Sequence, residues 1–339
     1  MESDPRTVSV IIPTYNRARL LGQTLDQLAL VAAAVEFEWS VTVVDNNSRD
    51  DTPSVVRSRQ PSFPVRLTYL FEPQQGRSHA LNAGVAATDS EVIAFIDDDV
   101  VVADGWLEAA VGPLRERTSG IDYTGGPVRP IWAAPRPRWL SAHRAELWGA
   151  IAILDYGSEA FVFEERRRVP LGTNMAVRRS LLRRTGGFSP RLGRGSGRQL
   201  LGQEVPEFLL RVRDAGGRGL YVPTMIVDHH VPKQRLSKAY FRRWWFGKGL
   251  SRAELEHMHP VTELGLDLAH VRNLADIPLY MFRSAGMDLA GWVAGGLTFD
   301  PERQFRHEMM LYFFAGYVAA RRRLHGAGGR PIVGLRPGV

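Results

Sequence analysis

The chain has 339 residues, 44% hydrophobic and 23% charged, which is typical of one globular domain, or one domain plus an appendage, with a sizeable core. The absence of cysteine excludes a disulfide framework and a zinc-thiolate site, and it fits a reducing cytoplasm. The net charge of +7 favours anionic partners such as nucleotides, nucleic acid or an anionic membrane surface, although a GC-rich genome also explains an arginine-rich composition.

Strand-like and helix-like segments alternate through the first hundred residues. This order is typical of a mostly parallel, Rossmann-like sheet with helices on both faces, so we predict an α/β fold. The β-rich runs predict strands over 8–12, 39–44, 65–70 and 91–96, and the leucine spacing and turn signals predict helices over 17–30, from 51 onward and over 76–87.

Polar residues follow several of these strands. In open α/β sheets, ligands bind outside the carboxyl ends of the strands. The turn after Pro13, Asp45, the loop at Gly76 and the carboxylates Asp97–Asp99 are all expected along that edge.

The acidic run Asp97-Asp98-Asp99 follows the apolar segment 91–96 directly. Clustered carboxylates at the end of a buried strand are costly unless a cation offsets them. Mg²⁺ and Mn²⁺ suit such oxygen ligands and usually also hold substrate phosphates. The alternative is a turn in which Asp104 caps the next helix.

The rest of the chain is less regular and then helical. Prolines and tryptophans in 127–139 indicate an ordered loop, and the Gly- and Arg-rich segment 191–202 predicts a flexible loop or a closing lid. A helix over 204–215 and a strand over 219–223 precede helices from about residue 233. We predict a catalytic domain over 1–232 and a helical C-terminal extension over 233–339.

Five segments together resemble the family 2 glycosyltransferases. They are VSVIIPTYNR (8–17), VVDNNSRDDT (43–52), GRSHALNAG (76–84), FIDDD (95–99) and GTNMAVRR (172–179). Their order and spacing between residues 8 and 231 resemble those of enzymes with the glycosyltransferase A-type fold, which is the fold of nucleotide-diphospho-sugar transferases. The resemblance implies a metal-dependent, inverting transfer of a sugar to an acceptor hydroxyl, in cell-surface polysaccharide, glycolipid or related glycoconjugate synthesis.

The resemblance also implies roles for single residues. Asp45 would contact the base of the donor, expected to be UDP-linked, although an Asx-turn is an alternative role that can coexist with it. Asp97 would face the ribose, Asp99 would bind Mn²⁺ or Mg²⁺, and Asp98 could replace either. The donor-binding set is Pro13, Tyr15, Asp45, Gly76, Arg77, Asp97 and Asp98, and Thr173 and Asn174 would line the acceptor side.

The catalytic base departs from the family pattern. The segment GQEVPEFLLR (202–211) resembles a helix start that usually carries Asp where this chain has Val205. If Pro206 is an insertion, Glu204 takes the place of the base, and Glu207 is the reserve. The alternative is that both glutamates merely favour the N-terminal end of the helix dipole.

A histidine completes the implied metal set of Asp99, Asp97 and His229. The pattern His-x-Val-Pro points to His229 rather than His230, and neutral imidazole is a reasonable ligand for manganese. A structural histidine at a strand end is the alternative.

Aromatic and basic residues interleave over 240–248 and 305–314, and three arginines follow at 321–323. Such helices lie at a membrane interface, which would suit a lipid-linked acceptor, or pack on the catalytic domain with their bases outside. No nucleic-acid-binding motif accompanies the charge, so no nucleic-acid partner is expected. Residues 1–6 lack a signal-peptide layout and no apolar run reaches the ~20 residues of a membrane span, so we expect a cytoplasmic protein, or one at the inner face of the membrane.

Two other functions stay open at this stage. A nucleotidyltransferase would carry a Gly-rich loop after the first strand, where this chain has Pro13-Thr14-Tyr15-Asn16-Arg17. A non-catalytic nucleotide-sugar binder or membrane scaffold is suggested by Val205 at the usual position of the base.

Overall fold

The computed structural model describes residues 7–141, 145–193 and 202–326. The loop or lid is predicted over 191–202, and most of it, residues 194–201, lies outside the described residues. The described residues form two compact units: a first unit within 1–131, 152–196 and 208–230, and a second unit within 132–151, 197–207 and 231–339. The domain boundary between residues 232 and 233 stays a prediction.

The elements follow the alternation that the sequence predicts in its first hundred residues. The strands are β1 (Val8–Thr14), β2 (Trp39–Asp45), β3 (Arg66–Phe71), β4 (Val92–Ile96), β5 (Val100–Val102), β6 (Tyr123–Gly125), β7 (Val128–Trp132), β8 (Phe161–Val162), β9 (Asn174–Arg178), β10 (Gly219–Tyr221), β11 (Val227–Val231), β12 (Asn273–Leu274) and β13 (Ile277–Pro278). The helices are α1 (Ala18–Val31), α2 (Thr52–Arg59), α3 (Arg77–Ala86), α4 (Trp106–Arg115), α5 (Phe163–Arg166), α6 (Arg179–Thr185), α7 (Glu204–Asp214), α8 (Lys238–Met258), α9 (Leu279–Leu297) and α10 (Pro301–Gly326).

The main sheet of the first unit has the strand order β3-β2-β1-β4-β9-β6-β10-β8. β1 pairs in parallel with β2 and β4, and β2 pairs in parallel with β3, whereas β9 runs antiparallel between β4 and β6. All residues of β1 and β4 are buried, as expected for apolar strands covered on both faces. The predicted α/β fold with a mostly parallel central sheet is confirmed.

The register of the sheet aligns the ends of its parallel strands. Thr14 pairs with Asp45 across β1 and β2, and Ile11 pairs with Phe95 across β1 and β4. The residues that follow β1, β2 and β4 therefore meet at one edge. β9 begins at that same edge, because Asn174 pairs with Ile96.

Three helices, α8, α9 and α10, form most of the second unit. Ser237 caps α8, its hydroxyl accepting a 3.3 Å hydrogen bond from the backbone N–H of Tyr240. α8 and α10 approach closely at Gly249, because a Cβ there would collide with the backbone oxygen of Phe313.

Two of the aromatic residues for which membrane contact was considered pack inside the second unit. Phe241 and Phe305 are buried and pack against Trp139, edge-on and tilted respectively, with ring centroids 5.2 Å and 4.4 Å away. Arg242 pairs with Glu308 at 2.7 Å. Packing thus accounts for these side chains, while membrane contact by these segments stays a prediction. Within the part of the chain that the structure describes, no helix combines the length and apolar character needed to cross a bilayer.

Candidate active site

Asp97, the first residue after β4, is held by two partners. Its Oδ1 accepts a 2.9 Å hydrogen bond from Arg77 Nη2, and its Oδ2 accepts a 2.7 Å bond from the hydroxyl of Thr173. Burial by itself raises the pKa of Asp97, but the charge of Arg77 and these two hydrogen bonds outweigh burial and lower that pKa. Asp97 is therefore an anion that ties α3 to the start of β9.

Asp98 is buried behind the turn that follows β1. Its Oδ2 accepts a 2.7 Å bond from the hydroxyl of Thr14, and its Oδ1 lies 3.2 Å from Arg17 Nη1. Burial together with the adjacent carboxylates of Asp99 and Asp97 raises the pKa of Asp98 to about 7, despite the opposing effect of Arg17. Asp98 thus packs inward, against β1 and α1.

Asp99 meets a histidine through strand pairing. β11 runs antiparallel to β5, with His229 opposite Val100, and the N–H of His230 donates a 2.9 Å bond to the backbone oxygen of Asp99. The Nε2 atom of His229 consequently lies 3.4 Å from Asp99 Oδ2. Both side chains are buried, and the choice of His229 over His230 as a metal ligand stays a prediction.

Arg17 is a residue of the acidic cluster's surroundings that we did not single out from the sequence. Its guanidinium contacts Asp99 Oδ2 as well as Asp98 Oδ1. Burial lowers the pKa of Arg17, but the three carboxylates outweigh burial and raise it. The sequence did contain a signal for this contact. Three adjacent carboxylates need more positive charge than Arg77 alone supplies, and Arg17 is a basic residue in the turn after β1.

Asp45 uses both carboxylate oxygens within the protein. Oδ1 accepts a 2.8 Å bond from the N–H of Ser48, which is the turn alternative, and Oδ2 accepts a 2.8 Å bond from the hydroxyl of Tyr69. Burial and this carboxylate raise the pKa of Tyr69 to about 12. Tyr15 is 44% exposed, beyond β1. Contact of Asp45, Tyr15 or Pro13 with a nucleoside stays a prediction.

Asn46, a second residue that we did not single out, shapes the loop before α3. Its Oδ1 accepts a 2.7 Å bond from the N–H of Gly76, and its Nδ2 donates a 2.7 Å bond to the carbonyl of Gln74. Gly76 has φ of 141°, which a residue with a side chain rarely adopts. These contacts place Arg77 at the first position of α3, where backbone N–H groups suit a phosphate.

The two residues expected on the acceptor side have internal partners. The amide of Asn174 is fully buried: it donates to the carbonyls of Pro127 and Met225, at 2.9 Å and 2.7 Å, and accepts from Trp106 Nε1 at 2.9 Å. Asn174 thus has a structural role. Contact of Asn174 or Thr173 with an acceptor stays a prediction.

The comparisons with known proteins decide the family. The model for glycosyl transferase family 2 matches residues 9–186, which is more than half of the chain. The chain belongs to this family. The predicted family and the predicted enzyme class, a glycosyltransferase, are therefore confirmed, and the nucleotidyltransferase alternative is set aside.

Two curated relatives of this family 2 glycosyltransferase span three quarters of it. The succinoglycan biosynthesis protein ExoM of Rhizobium meliloti is 27% identical over 259 residues, 75% of this chain and 77% of that protein. The glucosyl-dolichyl phosphate glucuronosyltransferase of Haloferax volcanii is 23% identical over 255 residues, 75% and 78% of the two chains.

A solved structure shows the same fold. The mannosyltransferase PcManGT of Pyrobaculum calidifontis, in complex with GDP-Man and Mn²⁺, superposes with a TM-score of 0.55 at 20% identity. The match covers 97% of this chain and 79% of that one. The likeness confirms the glycosyltransferase A-type fold.

Of the three predicted metal ligands, the structure brings Asp99 and His229 into contact. In residues 7–141, 145–193 and 202–326, no three His, Asp or Glu side chains are grouped so that they could hold a metal ion. Asp97 bonds to Arg77 and Thr173 instead of joining Asp99 and His229. Because Mg²⁺ and similar ions often use one or two protein ligands plus substrate phosphates, the pair Asp99–His229 fits an ion completed by a diphosphate. Metal binding by Asp97, Asp99 and His229 stays a prediction.

The two candidate bases lie in the first turn of α7 and are both buried. Glu207 Oε1 lies 3.2 Å from Nε2 of His259, which supplies a structural partner for Glu207 that sequence reasoning did not identify. Val205 is buried too, so an apolar residue occupies the position at which the family usually carries Asp. The role of Glu204 or Glu207 as the base stays a prediction.

Proposed function

We propose that this family 2 glycosyltransferase moves a sugar from a nucleotide-diphospho-sugar to a saccharide hydroxyl with inversion, using a divalent metal. The observation that carries the proposal is a pair of contacts just after β4: Arg77 binds Asp97, and His229 lies against Asp99. This edge combines a helix N-terminus and an arginine for phosphate with carboxylate and imidazole ligands for a cation.

The residues of the chain divide the work of binding the donor. Arg77 and the first N–H groups of α3 face the diphosphate, and Asp97 keeps the Arg77 guanidinium oriented through their 2.9 Å contact. Asp45 and Tyr15 receive the base of the nucleotide. UDP-sugars are our first donor class, and GDP-sugars are the second because PcManGT was solved with GDP-Man.

Asp99 and His229 would hold a divalent cation, which would offset the negative charge that builds on the leaving diphosphate. Glu204 is the proposed base. It takes the proton of the acceptor hydroxyl while that oxygen attacks the anomeric carbon and the bond from this carbon to the diphosphate oxygen breaks. One displacement of this kind inverts the anomeric centre.

The acceptor is proposed to be a sugar, either free, at the end of a polymer or lipid-linked, at the cytoplasmic face of the membrane. The names of two relatives support this range: one acts in succinoglycan biosynthesis and the other on glucosyl-dolichyl phosphate.

The test is a thermal-shift screen of UDP- and GDP-sugars with Mn²⁺, with Mg²⁺ and with chelator. We expect one nucleotide class to raise the unfolding temperature more with metal than without, and its sugar to be transferred to a saccharide acceptor with inverted anomeric configuration by NMR. Stabilisation that is equal with chelator, or a retained configuration in the product, would refute the proposal.

A further inference from the structure

Helix α9 in the second unit exposes an apolar surface that no other part of the described chain covers. Of its 19 residues, only Met281, Gly291 and Gly295 are buried. Leu297 is 77% exposed, and Phe299, just after the helix, is 92% exposed. We call the outward surface the α9 apolar face; it consists of Leu279, Met287, Leu289, Val293 and Leu297. Phe282 is excluded, because its ring packs edge-on against Phe314 of α10 with the centroids 5.4 Å apart.

The spacing of these residues keeps them together. Leu289, Val293 and Leu297 follow one another at intervals of four positions, so they share one side of the helix. A single charged residue, the exposed Arg283, accompanies them. An amphipathic helix of a globular protein normally turns such a stripe toward the core. In α9 the stripe is turned outward.

Packing against α10 determines which side of α9 is outward. Gly291 faces His307, and a Cβ at Gly295 would lie 2.8 Å from the backbone nitrogen of Gln304. Asp288, the one acidic residue of α9, lies 2.8 Å from Nδ1 of His307 through its Oδ1. The glycines and the acid therefore face α10, which leaves the opposite side of α9 apolar and without negative charge.

Charge favours one occupant for this face. Arg272 and Arg303 are exposed near the two ends of α9, and with Arg283 they make no ion pair with another described residue. The nearby Asp276 is already paired with His325 at 2.7 Å. A second copy of a chain with net charge +7 would bring like charges together, whereas an anionic lipid surface would attract these arginines.

Aromatic residues border the stripe in the manner of an interfacial helix. Tyr280 and Trp292 are exposed beside it, and such rings favour the boundary between lipid headgroups and acyl chains. We propose that α9 lies in the surface of an anionic bilayer, with the α9 apolar face among the acyl chains and the flanking arginines at the headgroups. This proposal differs from membrane contact by 240–248 or 305–314, and it does not depend on the proposed function.

The test is co-sedimentation of the full chain with vesicles of phosphatidylglycerol and phosphatidylcholine in equal parts, and with pure phosphatidylcholine vesicles. We expect binding to the anionic vesicles that weakens in high salt. The variants Leu289→Gln and Val293→Gln should each weaken binding at least about tenfold, because each removes a large apolar side chain from contact with the acyl chains.

The matched control is Leu30→Gln on α1, since Leu30 is also an exposed leucine, at 72%. It should bind vesicles like the wild type, and all variants should unfold at the wild-type temperature because the altered side chains are exposed. No binding by the wild type, unchanged binding by both α9 variants, or an equal loss in Leu30→Gln would overturn the proposal. The proposal would also be overturned if light scattering showed that the wild type is a dimer and that both α9 variants are monomers, because a second copy would then cover the face.

Discussion

Replacing Arg17 by glutamine should tighten the binding of Mn²⁺ in the absence of nucleotide. The Arg17 guanidinium contacts Asp99 Oδ2 and lies 3.2 Å from Asp98 Oδ1, so it occupies the carboxylate oxygen to which a metal ion would bind. A cation entering at Asp99 must first replace this contact. The glutamine side chain of the variant would be neutral and would compete much less.

The magnitude follows from the contact that is lost. A hydrogen bond between charged groups contributes about 1.5–3 kcal/mol, which corresponds to roughly 10- to 100-fold in affinity. The Arg17 side chain is 33% exposed, so solvent screening favours the lower limit, about tenfold. Without metal, the same variant should unfold at a lower temperature than the wild type, because Asp98 and Asp99 lose their compensating charge.

Calorimetric titration with Mn²⁺ alone measures the affinity, and thermal unfolding in chelator measures the stability. The control is Arg66→Gln, which changes the net charge equally but lies at the first residue of β3, at the opposite edge of the sheet. An affinity equal to or weaker than that of the wild type would show that Arg17 does not compete with the metal. An equal gain in Arg66→Gln would show that net charge alone explains the result.

The remaining predictions concern the metal, the base and the acceptor side. Asp99→Asn should remove the Mn²⁺-dependent part of nucleoside-diphosphate binding in calorimetry, and His229→Gln should weaken it; unchanged affinity in both would refute the ligand assignment. Glu204→Gln should keep donor binding and lose transfer by ~100-fold, and full activity there with loss in Glu207→Gln would move the base to Glu207. Asn174→Ala should lower the free energy of unfolding by about 3 kcal/mol, as three buried hydrogen bonds at about 1 kcal/mol each are lost, and wild-type stability in denaturant titration would contradict its structural role.

Local patterns predicted the first part of the fold well. The helix expected over 17–30 is α1 (Ala18–Val31), and the strand expected over 91–96 is β4 (Val92–Ile96). Each of these elements is specified by its own apolar spacing, whereas the strand predicted over 8–12 continues through Pro13 to Thr14. The carboxyl edge could also be predicted, because parallel strands all end on one side.

Contacts between distant strands could not be predicted in the same way. The pairing of β5 with β11 brings His229 to Asp99 across more than 120 residues, and only the family motif pointed to this histidine. The partners of Asp97 and Asp45 likewise come from other elements, Arg77 from α3 and Tyr69 from β3. A carboxylate in a motif is visible in the sequence, but the hydrogen bonds that occupy its oxygens are not.

The second unit shows the same limit for a surface. Sequence reasoning selected the aromatic-basic segments 240–248 and 305–314, because they combine the residue types of an interfacial helix, and their aromatics Phe241 and Phe305 turned out to be buried. α9 lacks that mixture and resembles a core helix in composition. Its glycines pack on α10, however, so most of its large apolar side chains remain outside, with Met281 the buried exception. Which side of a helix is buried depends on the shape of its partner, so small residues that permit close packing can turn the most apolar stripe of a helix toward the surroundings.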